Sequence, residues 1–235
     1  APMRLPHSII RPAILALLLT LACAISAHAA LRQWALKLNS PTLANQYAAP
    51  NTKVGMQGIP AYTIEAWVNP DSYLNYPTIV SNSFVHSYWV GLNTTGHVRF
   101  YPVGSSQSYF ESPSVLPTGQ WTHVAVTYTS GDARIYVNGN LDAQSAAFTG
   151  TAAADTNTLC VGADRGDSGT NYYWRGMLDE IHIWDCVRAV SQVDSDMVLP
   201  LGGGSPFMPT GQYDQNYVIN PGSNIWTFEP YYAFT

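Results

Sequence analysis

The chain has 235 residues, of which 46% are hydrophobic and only 11% charged, with 15 tyrosines and 7 tryptophans. A formal net charge of −5 argues against nucleic acid or an anionic membrane as partner, since both select basic surfaces. So little charge with so many large aromatics fits a secreted β protein and weighs against a helical cytosolic enzyme.

Residues 1–29 read as a secretory signal. Arg4 and Arg11 form a positive start, Ala13 to Ile25 an apolar stretch, and Ala27-His28-Ala29 a small-x-small cleavage site. The apolar run is shorter than the ~20 residues that span a bilayer, so a cleaved signal is expected rather than an anchor. Contact with membrane is then confined to this segment, and the mature protein is secreted or displayed at an extracellular surface. Without Arg4 and Arg11 the net charge moves from −5 to −7. The expected organisation is a signal at 1–29, one β domain at 30–199, and a Gly/Pro linker with an aromatic tail at 200–235.

Strands then follow at roughly ten-residue spacing. "RQWALKL" (32–38) alternates, and a short strand is expected around Tyr47. "AYTIEAWVNP" (61–70) is stopped by Asn-Pro. "PTIVSNS" (77–83), "YWVGLNT" (88–94), "HVRFYPV" (97–103) and "SYFESPS" (108–114) come next. In 121–138, Val124, Val126 and Tyr128 share one face and Ile135 and Val137 share a face of the return strand. Ser130-Gly131-Asp132 turns between them, and Asn138-Gly139 favours a type I′ turn into a further strand. "LCVGAD" (159–164) and "EIHIWDC" (180–186) close the set. One short helix is expected near 191–197, with Ser191 as N-cap. The pattern predicts an all-β, two-sheet antiparallel jelly-roll sandwich.

Cys160 and Cys186 are an even pair outside the signal, and in an oxidising compartment a disulfide between them is expected. Two buried thiols are the alternative. In the tail, Ile225, Trp226, Phe228, Tyr231, Tyr232 and Phe234 make an apolar segment that should dock on a sheet, its own or a neighbour's.

Four stretches, "ALKLNSPTLANQYAAP", "AYTIEAWVNP", "GQWTHVAVTYTSGDARIYVNG" and "WRGMLDEIHIWDCVRAVSQVDSDM", stand in the order found in laminin-G-like, concanavalin A-like jelly rolls. The resemblance covers about residues 31–199 and extends to the pentraxins. It implies two antiparallel sheets curved over one another, often around a structural Ca2+. It does not fix a function, because this fold hosts lectins, adhesion modules, glycosidases and lyases. An opening strand common in such domains is missing here, and "NIWTFEP" (224–230) has the character to fill that edge, in its own domain or in the next subunit.

The candidate chemistry is sparse. "DEIHIWD" (179–185) resembles the paired-acid strand of laminarinase-like glycosidases. Retaining hydrolysis needs two carboxyls about 5–5.5 Å apart. By strand rise Asp179 and Asp185 lie about 20 Å apart, and alternation turns Glu180 to the opposite face. No catalytic residue is expected. For Ca2+, Asp164, Asp167, Asn171 and Asp179 offer oxygen ligands in and beside one loop. His86, His97, His123 and His182 form no transition-metal spacing. Sugar binding needs exposed ring faces, for which Tyr172, Tyr173, Trp174, Tyr88 and Trp89 are candidates, although alternation turns half of any such set inward. The expected function is a secreted, non-catalytic recognition module binding glycan or extracellular matrix protein. The alternatives are a fibre or surface-layer subunit joined to other copies of itself by C-terminal strand addition, and a jelly-roll polysaccharide hydrolase or lyase.

Overall fold

In the computed structural model the residues described are 35–38, 47–48, 58–153, 159–164 and 172–198, with the backbone alone of 225–228. All belong to one unit, Trp34–Thr235; the signal at 1–29 lies outside the described residues. Among the described residues fourteen strands run in chain order. They are β1 Leu36–Leu38, β2 Ala61–Pro70, β3 Thr78–Ser81, β4 Trp89–Leu92, β5 His97–Tyr101, β6 Phe110–Val115 and β7 Thr122–Thr129. After these come β8 Asp132–Val137, β9 Asn140–Ser145, β10 Cys160–Val161, β11 Ala163–Asp164, β12 Tyr172–Tyr173, β13 Gly176–Trp184 and β14 Ile225–Phe228. Among the described residues the single α-helix, α1, spans Val190–Val198, a 3-10 turn covers Ser105–Gln107, and no described helix is long and apolar enough to cross a membrane.

Two antiparallel sheets make the expected sandwich. The larger runs β1-β13-β2-β7-β8-β9, with β14 also on β13; the smaller runs β10-β3-β4-β5-β6. Their inner faces follow from period-two alternation. Tyr62, Ile64, Ala66 and Val68 of β2 and Val124, Val126 and Tyr128 of β7 meet Val90, Leu92, Val98 and Phe100 of the smaller sheet in one core. Asn138 (φ 49°) and Gly139 (φ 76°) make the hairpin turn that their sequence calls for. The strand expected near Tyr47 is reduced to a bridge between Ala48 and Val161. The segment 159–164 is broken in two at Gly162, whose positive φ and close approach to Leu38 leave no room for a Cβ.

Three expectations are corrected here. Ser191 is not the N-cap: α1 starts one residue earlier, and the Gln192 side chain accepts the Ala189 N–H at 2.8 Å, a reach-back contact of the capping-box kind. Cys160 and Cys186 form no disulfide. The first is buried in β10 of the smaller sheet and the second is exposed just beyond β13 of the larger, so their strands are not neighbours. Glu180 does not oppose Asp179 in simple alternation, because it sits at φ 48° in a bulge between Asp179 and His182. Of the aromatic tail, Ile225–Phe228 pair antiparallel with Ile181–Trp184 of their own chain, while Tyr231, Tyr232 and Phe234 lie outside the described residues.

Candidate functional site

The outer face of the smaller sheet carries a dense cluster of aromatic rings. On β4 and β5, Val90, Leu92, Val98 and Phe100 enter the core, so Trp89, Gly91, Arg99 and Tyr101 face outward. The Trp89 ring lies across Gly91; a Cβ there would strike both the ring and the Pro77 carbonyl oxygen. Trp89 is fixed further by Nε1, which donates to Thr78 Oγ1 at 2.9 Å. Above this floor the rings interlock, with Tyr101 edge-on to Trp89 at 5.9 Å, Phe84 against Tyr101 at 4.8 Å and Tyr109 against Tyr101 at 5.1 Å. Tyr172 of β12 closes one side, 6.3 Å from Phe84 and 5.9 Å from Tyr76.

One charged pair is set into the platform. The Arg99 guanidinium lies 3.9 Å from the Tyr109 centroid and 4.9 Å from that of Tyr76. Its Nε donates to Glu111 Oε1 at 2.7 Å, and the same oxygen accepts from Asn93 Nδ2 at 2.9 Å. Burial alone would lower the Arg99 pKa, but the Glu111 hydrogen bond and charge outweigh it and raise it. Trp89 (2% exposed) and Tyr101 (7%) are sealed beneath, whereas Tyr109 is 39% exposed and Tyr76, Phe84 and Tyr172 are half-buried. The surface therefore offers ring faces flanked by a fixed donor and a fixed acceptor. Those are the two kinds of contact that a sugar ring accepts on its C–H face and its hydroxyl edge.

Of the aromatic residues expected to bind ligand, only Tyr172 reaches this face with part of its surface open. Tyr173 is half-buried beside it. Tyr88 and Trp174 are wholly buried in the core, and Trp89 is the covered floor rather than a contact surface. Tyr76, Phe84, Arg99, Tyr101, Tyr109 and Glu111 were not expected. The signal available for two of them is the i, i+2 spacing of Arg99 and Tyr101 in "HVRFY".

Of the four oxygen ligands expected for Ca2+, Asp164 and Asp179 are among the described residues. Asp164, buried on the smaller sheet's side, accepts a hydrogen bond from Ser81 Oγ at 2.8 Å. Asp179 belongs to β13 of the larger sheet, in register with Trp67, with its carboxylate accepting the Glu180 N–H. Asp167 and Asn171 lie outside the described residues. Among the described residues no three His, Cys, Asp or Glu side chains are grouped to hold a metal ion.

A second polar constellation sits on the outer face of the larger sheet, under α1. Glu65, with a fully buried side chain, accepts from Trp184 Nε1 at 2.8 Å and stands 3.7 Å from both His123 Nε2 and His182 Nδ1. His182 Nε2 is 3.1 Å from Glu180 Oε2, a contact that the bulge at Glu180 makes possible. Burial works to lower the His182 pKa, but the neighbouring carboxylates of Glu180 and Glu65 outweigh it and hold the imidazole up at about 9. α1 roofs the cluster. Val193 packs with Ala125 and Tyr136, and Trp67 Nε1 donates to the Met197 carbonyl at 3.1 Å. Arg188 lies 3.8 Å over the Trp184 ring and hydrogen-bonds Asp196. Carboxylates and imidazoles meet here, but at 1–2% exposure Glu65, His123 and His182 have no route to a substrate while α1 is seated.

Comparisons with known proteins bear on this geometry. A family model described as the concanavalin A-like lectin/glucanases superfamily matches residues 43–194. A second, for a proposed MetA pathway of phenol degradation, matches residues 205–235, too short a stretch to assign the chain. Pappalysin-1 of mouse is 23% identical over 162 residues, which is 58% of this chain and 10% of that protein, so the chain spans about a tenth of the curated relative. Among solved structures, a Bacteroides ovatus protein proposed to bind carbohydrate superposes with a TM-score of 0.52 at 25% identity, over 68% of this chain and 45% of that one. The CBM40 of a Ruminococcus gnavus IT-sialidase, solved with α2,3-sialyllactose, gives 0.57 at 12% identity, over 69% of this chain and 96% of that one, a likeness of fold alone.

Proposed function

The chain belongs to the concanavalin A-like lectin/glucanases superfamily, and from that premise we propose that it is a secreted, non-catalytic module that binds glycan through the outer face of its smaller sheet. The observation that carries this reading is the platform of Tyr76, Phe84, Tyr101, Tyr109 and Tyr172 with Arg99 held between two of its rings. Likeness to the Bacteroides ovatus protein supports it. The pattern of residues 1–29 supports secretion. Burial of Glu65 beside His123 and His182, away from solvent, favours a non-catalytic role for that cluster.

Affinity electrophoresis through gels containing neutral or acidic polysaccharides tests this. Retardation is expected in at least one gel, and Tyr109→Ala should weaken it by about tenfold or more, the loss of one stacking face. Migration unchanged in every gel would sink the reading.

A further inference from the structure

A cleft of about 450 Å3 opens among the connections that follow Phe84 and precede Tyr109 in the chain, in the size range of small-molecule sites. One wall is the turn between β5 and β6, with Ser105, Ser106 and Gln107; the facing wall is Thr149 and Thr151, beyond β9; His86 contributes from the β3–β4 connection. The walls are clamped rather than loosely apposed. The Gln107 amide donates to the Thr149 carbonyl at 2.7 Å and its oxygen accepts the Thr149 N–H at 2.8 Å. The Ser105 N–H donates to the Val85 carbonyl at 3.2 Å. Gly104, at φ 84°, lets the backbone approach Val85 so closely that a Cβ would lie 2.5 Å from that carbonyl oxygen.

Two features identify what such a cleft takes. Among the described residues its lining has no Asp, Glu, Lys or Arg, and the hydroxyls of Ser105, Ser106, Thr149 and Thr151 hydrogen-bond no described residue. Among those residues a charged ligand would find no carboxylate, ammonium or guanidinium partner, whereas a neutral polyol would find several hydroxyl partners and an amide. The cleft is also continuous with the platform along the chain: Phe84 immediately precedes Val85 and His86, and Tyr109 follows Gln107 by two residues.

We propose that this cleft is a second subsite, so that the protein holds a run of several units of a neutral glycan chain lying from the platform into the cleft. This rests on the platform reading above and adds to it a ligand class and a chain length. The test is calorimetric titration with cello-, xylo-, manno- and arabino-oligosaccharides of two to six units, using the wild type, Ser106→Trp, Thr151→Arg and Tyr109→Ala. The first two substitutions obstruct the cleft from exposed positions, and circular dichroism checks that the variants are folded. In the series that binds, wild-type affinity should rise by about tenfold or more from dimer to hexamer, and obstruction should reduce that rise to about threefold or less while sparing the dimer. Tyr109→Ala should weaken every length. A wild-type affinity independent of length, or a hexamer bound equally well by both obstructed variants, overturns the second subsite and leaves the platform standing. Absence of binding to every series and every polysaccharide gel overturns both.

Discussion

Gly91 shows how one missing side chain shapes a surface. The Trp89 indole can lie flat on the smaller sheet only because nothing projects from the next outward-facing position of its own strand. Gly91→Ala should therefore cost about 1–3 kcal/mol by overpacking, measured by urea unfolding, and should tilt the floor on which Tyr101 rests. A shift in tryptophan emission without that cost would show that the ring moves freely. His182 gives a second single-residue prediction. Its folded pKa is raised, to about 9, so its contribution to stability is complete below the ordinary value near 6.5 and is lost as pH rises through about 9. The melting temperature should fall between those limits, and His182→Gln should be less stable at pH 6 yet flatten the decline. An unchanged slope in that variant would place the titration elsewhere.

At the scale of elements, α1 and β13 act together. Arg188 joins them, with its backbone N–H donating to Thr63 Oγ1, its guanidinium on Trp184 and its side chain on Asp196. Burial raises the Asp196 pKa, the Arg188 hydrogen bond works against this, and the neighbouring Glu65 raises it further. Removing the cation leaves two acids facing each other. Arg188→Ala should cost about 2 kcal/mol, at the low end for a broken pair because the arginine keeps some exposure to water, and Arg188→Ala/Asp196→Ala should recover part of it in a double-mutant cycle. Most of these elements were legible from alternation alone: β2, β7 and β8 fall where apolar and polar residues take turns. The bulge was not, because a left-handed Glu180 answers to its neighbours across the sheet and leaves no mark in the spacing. The platform was half legible. Alternation separates Phe100 from Tyr101 and Tyr88 from Trp89 but is silent on which member of each pair meets the core, and that is decided by which face the opposite sheet covers.

For the whole molecule the question is whether the strand at 225–228 serves its own domain or another. β13 is shared along one edge, with Leu36–Leu38 on its first half and Ile225–Phe228 on its second. Without the latter, the backbone of Ile181–Trp184 would be an unpaired edge, a template for other chains. Residues 199–224 join α1 to that strand, a stretch long enough to reach either β13 of the same copy or that of a neighbour. The two arrangements give opposite results when residues 214–235 are deleted. With the strand in its own sheet, as the structure has it, the full chain should elute as a monomer at micromolar concentration. The truncated chain should melt lower and self-associate through the bared edge. With the strand donated between copies, the full chain should form assemblies and the truncated one should be monomeric. Size-exclusion chromatography of both chains, at two concentrations, separates these outcomes by sign rather than by size of effect.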